Sequence, residues 1–444
     1  MVKRTQAGTA ASGRPEDERL GIGKSFTYGI QHVLTMYGGI IAPPLIIGGA
    51  AGVSTAEIGL LVASCLFIGG LATILQSFGI PFFGSRLPLV QGTSFAGVAT
   101  MTAIVADGGL PAVFGSVIAS AALGLLITPV FSRLVKYFPP VVTGTVITVI
   151  GLSLMPVAAQ WAMGNNTKSP EFGSVSNVGL AAMTLAIVLL LSKVAVPAIS
   201  RLSILLSIVV GTVLAAVLGK ADFSKVWDGP IFAVPTPFAF GMPTFDVAAI
   251  VSMFIVVLVT LTETTADILA VGEIVDTRVG KRRIGDGLRA DMASSAIAPV
   301  FNGFMQSAFA QNVGLVAITG IRSRFVVTAG GVILLILGML PVLGRVVAAI
   351  PYPVLGGAGL VLFGTVAASG IKTLSKVDYN GNMNLVIVAA SVGMGMIPDR
   401  GAGVLSPLPG VGRHDLPLGD QLRRAHGRLA EPVVQPPQAR QGGR

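Results

Sequence analysis

Apolar residues fill this chain in long runs, separated by short polar, glycine-rich or basic breaks. The runs lie near 26–45, 55–76, 88–105, 111–131, 139–158, 177–195, 202–219, 246–270, 285–301, 305–319, 324–343, 352–370 and 383–397. Each approaches the length of a membrane-crossing helix, about 20 mostly apolar residues. The pattern predicts an all-α polytopic membrane protein with thirteen spans. A polar segment, 1–23, precedes the first run, and its character predicts no cleavable signal peptide.

Composition agrees with the pattern. Of 444 residues, 52% are hydrophobic and 11% charged, against about 25% charged in a soluble domain. The formal charge of +10 would suit a nucleic-acid partner, but the arrangement of the cations points elsewhere. With the N-terminus cytoplasmic, Arg86, Arg133, Lys136, Lys193, Arg201, the Arg278/Lys281/Arg282/Arg283 group, Arg322, Arg324, Lys372 and Lys376 all fall inside. That is the positive-inside pattern, and Arg345 is its main exception. The partner is then the bilayer, and no nucleic acid is expected. Cys65 is the only cysteine, so no intrachain disulfide can form. His32, His414 and His426 are too scattered for a metal site, and no paired Asp-rich motif of a prenyl-transfer enzyme occurs. The chain is not expected to be an enzyme.

Polar residues inside the runs are few. They are Gln31-His32 in the first, Gln91 to Ser94 in the third, Glu263 and Asp267 in the eighth, Asp291 in the ninth and Gln311-Asn312 in the tenth. A charge at mid-membrane costs about 2.5–3.5 kcal/mol on insertion scales, so such residues face a cavity or carry protons. Glu263 and Asp267 stand four apart and share a helix face. A carboxyl that can take up and release a proton there is what proton coupling requires.

Runs three and ten look alike. "LPLVQGTSFAGVATMTAI" from 87 and "FMQSAFAQNVGLVAITGI" from 304 both open on an irregular stretch before a helix. They lie seven runs apart and so would cross the membrane in opposite directions. This predicts an inverted repeat with broken helices, whose exposed backbone meets substrate at the midplane.

The string Gln311-Asn312-x-Gly314-x-x-x-x-Thr319-Gly320 resembles the signature of the nucleobase–ascorbate transporter family, the nucleobase:cation symporters. Gln31-His32 resembles that family's first-helix pair, and Gly92-Thr93-Ser94-Phe95 its third-span turn. Glu263-x-x-x-Asp267 resembles its eighth-span acids, and Asp291 its ninth-span aspartate. The resemblance covers about 24–398 and implies fourteen spans in a 7+7 inverted repeat, with short strands at broken spans three and ten. It further implies a core domain (24–137 and 246–343), a gate domain (138–220 and 351–398) and a homodimer in the plasma membrane. No cofactor is implied, the coupling ion being a proton. Glu263 would bind the ring N–H groups of a nucleobase and Gln311 the opposite amide edge. Ser94 and Phe95 would close the site from span three. Asp267, Asp291, Asn312, His32 and Gln31 would support coupling or structure. Independently of the resemblance, a planar base edge of alternating donors and acceptors is matched by carboxylates and carboxamides. Gln at the first motif position and Gly at the last resemble the bacterial xanthine and uric acid permeases. Uracil members tend to have Glu first, and His where this chain has Asp267. Import of xanthine or uric acid is therefore expected, with a uracil permease or an inactive truncated permease as alternatives.

Residues 399–444 turn rich in Arg, Pro and Gly, with no run long enough to cross. After thirteen spans this basic stretch would lie outside, against the positive-inside rule. Back-translating it with one nucleotide deleted after the Pro398 codon permits a short loop and a final apolar span without a stop. The sequence thus predicts a fourteenth span lost to a frameshift and an out-of-frame tail. The alternative is a disordered tail.

Overall fold

The computed structural model describes residues 14–134, 139–194, 196–380 and 383–396. These fall within one unit, Met1–Met396. The tail 399–444, where the frame change was expected, lies outside the described residues.

The helices run in chain order α1 (Ile22–Ala50), α2 (Thr55–Phe78), α3 (Val98–Leu134), α4 (Pro140–Ser153), α5 (Met155–Ala162), α6 (Val175–Lys193), α7 (Pro197–Arg201), α8 (Ser203–Val217), α9 (Val247–Ile274), α10 (Lys281–Ile297), α11 (Ala310–Thr319), α12 (Arg324–Gly338), α13 (Pro341–Ala348), α14 (Tyr352–Leu374) and α15 (Asn384–Gly395). Two three-residue strands interrupt them, β1 (Gln91–Thr93) and β2 (Gln306–Ala308). All thirteen expected spans meet helical counterparts, yet their form differs from thirteen uniform rods. Among the described residues seven helices are long and apolar enough to cross a membrane, and the pair α12–α13, bent by 78°, makes an eighth. Expected spans three and four are one helix, α3, broken at Gly109, whose φ of 68° suits glycine. Spans seven, ten and thirteen are the short apolar helices α8, α11 and α15. Span nine is α10, whose first half is charged. Short and broken helices persist at membrane depth only where protein or a cavity satisfies their free backbone groups.

Local chemistry sets the ends. Ser54 and Glu57 close α2 with a reciprocal capping box, Ser54 N–H to Glu57 Oε2 at 2.7 Å and Glu57 N–H to Ser54 Oγ at 3.3 Å. The run that begins at Gln311 stops because Gly320 turns left-handed (φ 65°) and donates its N–H to Val316 O at 3.0 Å. Thr319 closes the same end, its hydroxyl donating to Leu315 O at 2.8 Å.

Packing relies on close backbone approach, because lipid gives no hydrophobic drive between helices. A Cβ on Gly70 of α2 would lie 2.4 Å from Leu335 N of α12. One on Gly151 of α4 would lie 2.2 Å from Ala367 N of α14. Helix α2 packs on α1, α12 and α13, while α14 packs on α4, α5, α6 and α8.

Candidate substrate-binding site

Strands β1 and β2 pair antiparallel, Gln91 with Ala308, Gly92 with Ser307 and Thr93 with Gln306. The two broken segments singled out in the sequence therefore meet. Flanking bonds fix the phase of the ladder: Phe309 N–H to Val90 O at 3.0 Å and Ser94 N–H to Met305 O at 2.8 Å. Period-two alternation then turns the backbone groups of Gln91, Gln306 and Ala308 outward from the ribbon. An edge left bare at this depth costs several kcal/mol per group.

Helix hydroxyls satisfy those edges. Thr73 Oγ1 of α2 donates to Gln91 O (3.2 Å) and accepts from Gln91 N–H (3.0 Å). Ser295 Oγ of α10 does the same for Gln306, donating to its carbonyl (3.3 Å) and accepting from its N–H (2.9 Å). Span two clamps the first strand and span nine the second, as an inverted repeat of seven requires. Thr264 Oγ1 of α9 accepts from Ala308 N–H at 3.3 Å and donates to the Asp291 carboxylate.

A cavity of about 230 Å³ lies beside this ribbon. Thr93 and Phe95 line it from the first broken segment, and Ser307, Gln311 and Gly314 from the second. Glu263 lines it from α9, and Thr365 and Ser369 from α14. Among the described residues the Glu263 carboxylate receives no hydrogen bond, and its Oε2 is buried. No side chain caps the N-terminus of α11; the Asn312 N–H bonds Phe309 O at 3.0 Å, and the N–H groups of Ala310 and Gln311 stay available for acceptors at the wall Gln311 occupies. Phe95 stacks obliquely on Phe309 (ring centroids 6.4 Å) and edge-on against Phe363 (6.1 Å).

The other expected residues occupy supporting places. Ser94 does not line the cavity; its hydroxyl accepts from Ala96 N–H at 3.3 Å and starts the turn that carries Phe95. Asp267 and Asp291 are buried behind Glu263, outside the lining. Asn312 Nδ2 donates to His32 O (3.1 Å) and lies 3.0 Å from His32 Nδ1, tying α11 to α1. Gln31 is half-buried and does not reach the cavity.

Sequence reasoning missed Thr73, Ser295, Thr365 and Ser369. The last two stand four apart within an apolar run of α14, a signal of the kind that had marked Glu263 and Asp267. Among the described residues no group of three or more His, Cys, Asp or Glu could hold a metal ion.

Apolar crossing helices, broken segments paired at depth and a lone carboxylate in the cavity define a polytopic membrane transporter of the inverted-repeat class. The solved transmembrane domain of the cyanobacterial bicarbonate transporter BicA shares this fold, with a TM-score of 0.62 over 84% of this chain and 95% of that one, at 18% identity. The family model described as "Permease family", that of the nucleobase–ascorbate transporters, matches residues 23–402, and the chain belongs to that family. It is similar to the xanthine permease of Bacillus subtilis (strain 168), 43% identical over 86% of this chain and 88% of that protein. It is also similar to the uric acid transporter UacT of Escherichia coli (strain K12), 42% identical over 90% and 84%.

Proposed function

We propose that the protein imports a purine nucleobase, xanthine or uric acid, by proton symport across the plasma membrane. The observation that carries this reading is the shared cavity of Glu263 and Gln311, which arrive from separate helices. Glu263 accepts from ring N–H groups, while the Gln311 carboxamide both donates and accepts along the opposite edge. The Phe95 ring covers the base face. A site built on such bonds rejects analogues that lack the partner group, since its own buried polar atoms would be left unpaired. The relatives named for xanthine and uric acid support the substrate class.

Proton coupling is assigned to Glu263, supported by Asp267 and Asp291. Helices α1–α3 and α9–α13 form the core, and α4–α8 with α14 and α15 form the gate. The N-terminus is cytoplasmic and the protein works as a homodimer. The test is uptake of radiolabelled xanthine, urate and uracil in a transport-deficient host. Concentrative, uncoupler-sensitive uptake of the two purines is expected, and Glu263→Gln should abolish accumulation against a gradient. A mutant that still concentrates substrate in an uncoupler-sensitive way refutes the assignment of Glu263. Uptake of uracil alone refutes the purine reading.

A further inference from the structure

A second cavity, of about 680 Å³, opens on the face that carries the N-terminal segment, away from the substrate site. Arg14, Arg86, Arg278, Arg282 and Arg283 line it. The single carboxylate in its lining, Asp286, is already paired with Arg289. Arg283 is held by Glu16 at 2.6 Å. The guanidinium groups of Arg14, Arg86, Arg278 and Arg282 have no hydrogen bond or ion pair among the described residues. The cavity therefore holds a large uncompensated positive charge.

Its wall is fixed. The loop between α2 and β1 carries two non-glycine residues in left-handed conformation, Phe82 (φ 70°) and Arg86 (φ 55°). Such residues persist only where surrounding contacts over-determine them, and α10 supplies the contacts. Arg289 Nε donates to Phe82 O at 2.8 Å, Arg283 Nε to Ser85 O at 2.6 Å and Arg283 Nη2 to Arg86 O at 2.7 Å. Asp286 O accepts from Gly84 N–H at 2.7 Å. Into this wall is set Ser85, 1% exposed, whose hydroxyl has no hydrogen-bond partner. The N-terminus of α10 also borders the cavity through Gly280, Arg282 and Arg283, and no side chain caps it.

The positive-inside rule accounts for cations on a face. It does not account for four unpaired guanidinium groups lining one concavity, beside an uncapped helix N-terminus. Planar guanidinium forks match phosphate oxygens two at a time, and a helix N-terminus adds free N–H groups and a favourable dipole. We propose that this cavity is a binding site for a phosphate-bearing anion, presented as an anionic lipid headgroup at the membrane face or as a soluble phosphate. Occupancy would join the α2–β1 loop, the α9–α10 loop and the N-terminal segment through one counter-charge.

The full chain purified in an uncharged detergent is titrated with inorganic pyrophosphate while thermal unfolding is followed. In a parallel arm it is placed in phosphatidylcholine nanodiscs with and without phosphatidylglycerol. A rise of the unfolding midpoint in at least one arm is expected. Stabilisation by pyrophosphate identifies a soluble anion, and stabilisation by phosphatidylglycerol alone a lipid headgroup. Arg278→Gln/Arg282→Gln should weaken the effective affinity at least about tenfold, since hydrogen bonds to charged groups are being lost. Arg86→Gln serves the same purpose should the double variant misfold. Lys372→Gln/Lys376→Gln, which removes two cations outside the cavity, should leave the response unchanged. No stabilisation in either arm overturns the proposal, as does a response that survives loss of the arginines or falls equally with loss of the lysines.

Discussion

Replacing Thr73 by valine removes one hydroxyl and almost nothing else. The two side chains have nearly the same shape, and Thr73 does not line the substrate cavity. Its hydroxyl bonds both the N–H (3.0 Å) and the carbonyl (3.2 Å) of Gln91, and Thr73 is fully buried. The outward edge of β1 has this one clamp at Gln91, so valine leaves two buried backbone groups facing a methyl. Each unsatisfied group costs about 1–3 kcal/mol. Valine's extra apolar surface returns about 0.8 kcal/mol, so the net loss is about 1–5 kcal/mol. Thr73→Ser keeps the hydroxyl and loses one methyl, at about 1 kcal/mol. Unfolding midpoints in uncharged detergent should therefore fall in the order wild type, Thr73→Ser, Thr73→Val. Xanthine uptake at matched membrane amounts should fall in the same order, because β1 carries Thr93 and leads into Phe95. Equal midpoints for the serine and valine variants would refute the clamp: satisfaction of the ribbon edge would then contribute nothing.

Gln311→Glu removes the donor end of the carboxamide at constant size, and xanthine affinity measured by competition should fall more than about tenfold, as a mispaired buried hydrogen bond costs about 1–3 kcal/mol; unchanged competition by xanthine and urate would remove Gln311 from the contacts. Asn312→Ala deletes the bonds to His32 O and Nδ1 and should lower the unfolding midpoint by the equivalent of about 1–3 kcal/mol, while a midpoint equal to that of wild type would mean that this link does not hold α11 against α1. Sequencing the gene across the Pro398 codon should reveal, in the shifted frame, an apolar stretch long enough to cross the membrane; a shifted frame without one rules out the frame change.

The sequence exposed the helices because apolar runs are read locally, one run at a time. It also exposed Glu263, Asp267, Asp291, Gln311 and Asn312, because a polar group in such a run has no water to turn to. What it could not expose is which polar groups face the cavity and which face each other. Ser94 and Phe95 are neighbours in the motif, yet Phe95 faces the cavity and Ser94 caps a turn. Asp291 reads as an isolated acid, but it takes its hydrogen bond from Thr264, a residue that passes for filler between Glu263 and Asp267. Thr73 and Ser295 were illegible for a further reason. A lone hydroxyl in a membrane helix ordinarily bonds its own backbone four residues back, as Thr128 does to Gly124 O at 2.8 Å. Only the ladder phase of β1 and β2 gives Thr73 and Ser295 a different partner.

The ribbon and the uncapped start of α11 belong to the architecture rather than to any one substrate. A helix N-terminus at mid-membrane offers N–H donors and a partial positive charge, which suits a simple anion. A solved neighbour with this fold, BicA, is a bicarbonate transporter. Here the same cavity also contains Glu263, and among the described residues its lining holds no arginine, lysine or histidine. A small inorganic anion has no ring N–H group to offer this carboxyl group. In the proposed reading the Glu263 side chain pairs with the ring N–H groups of a purine, while the free α11 N–H groups and the Gln311 amide would serve its carbonyl oxygens. Glu263→Gln leaves the donors of α11 untouched, so it tests the carboxyl alone: loss of purine accumulation is expected, and unchanged accumulation would remove Glu263 from the proposed site.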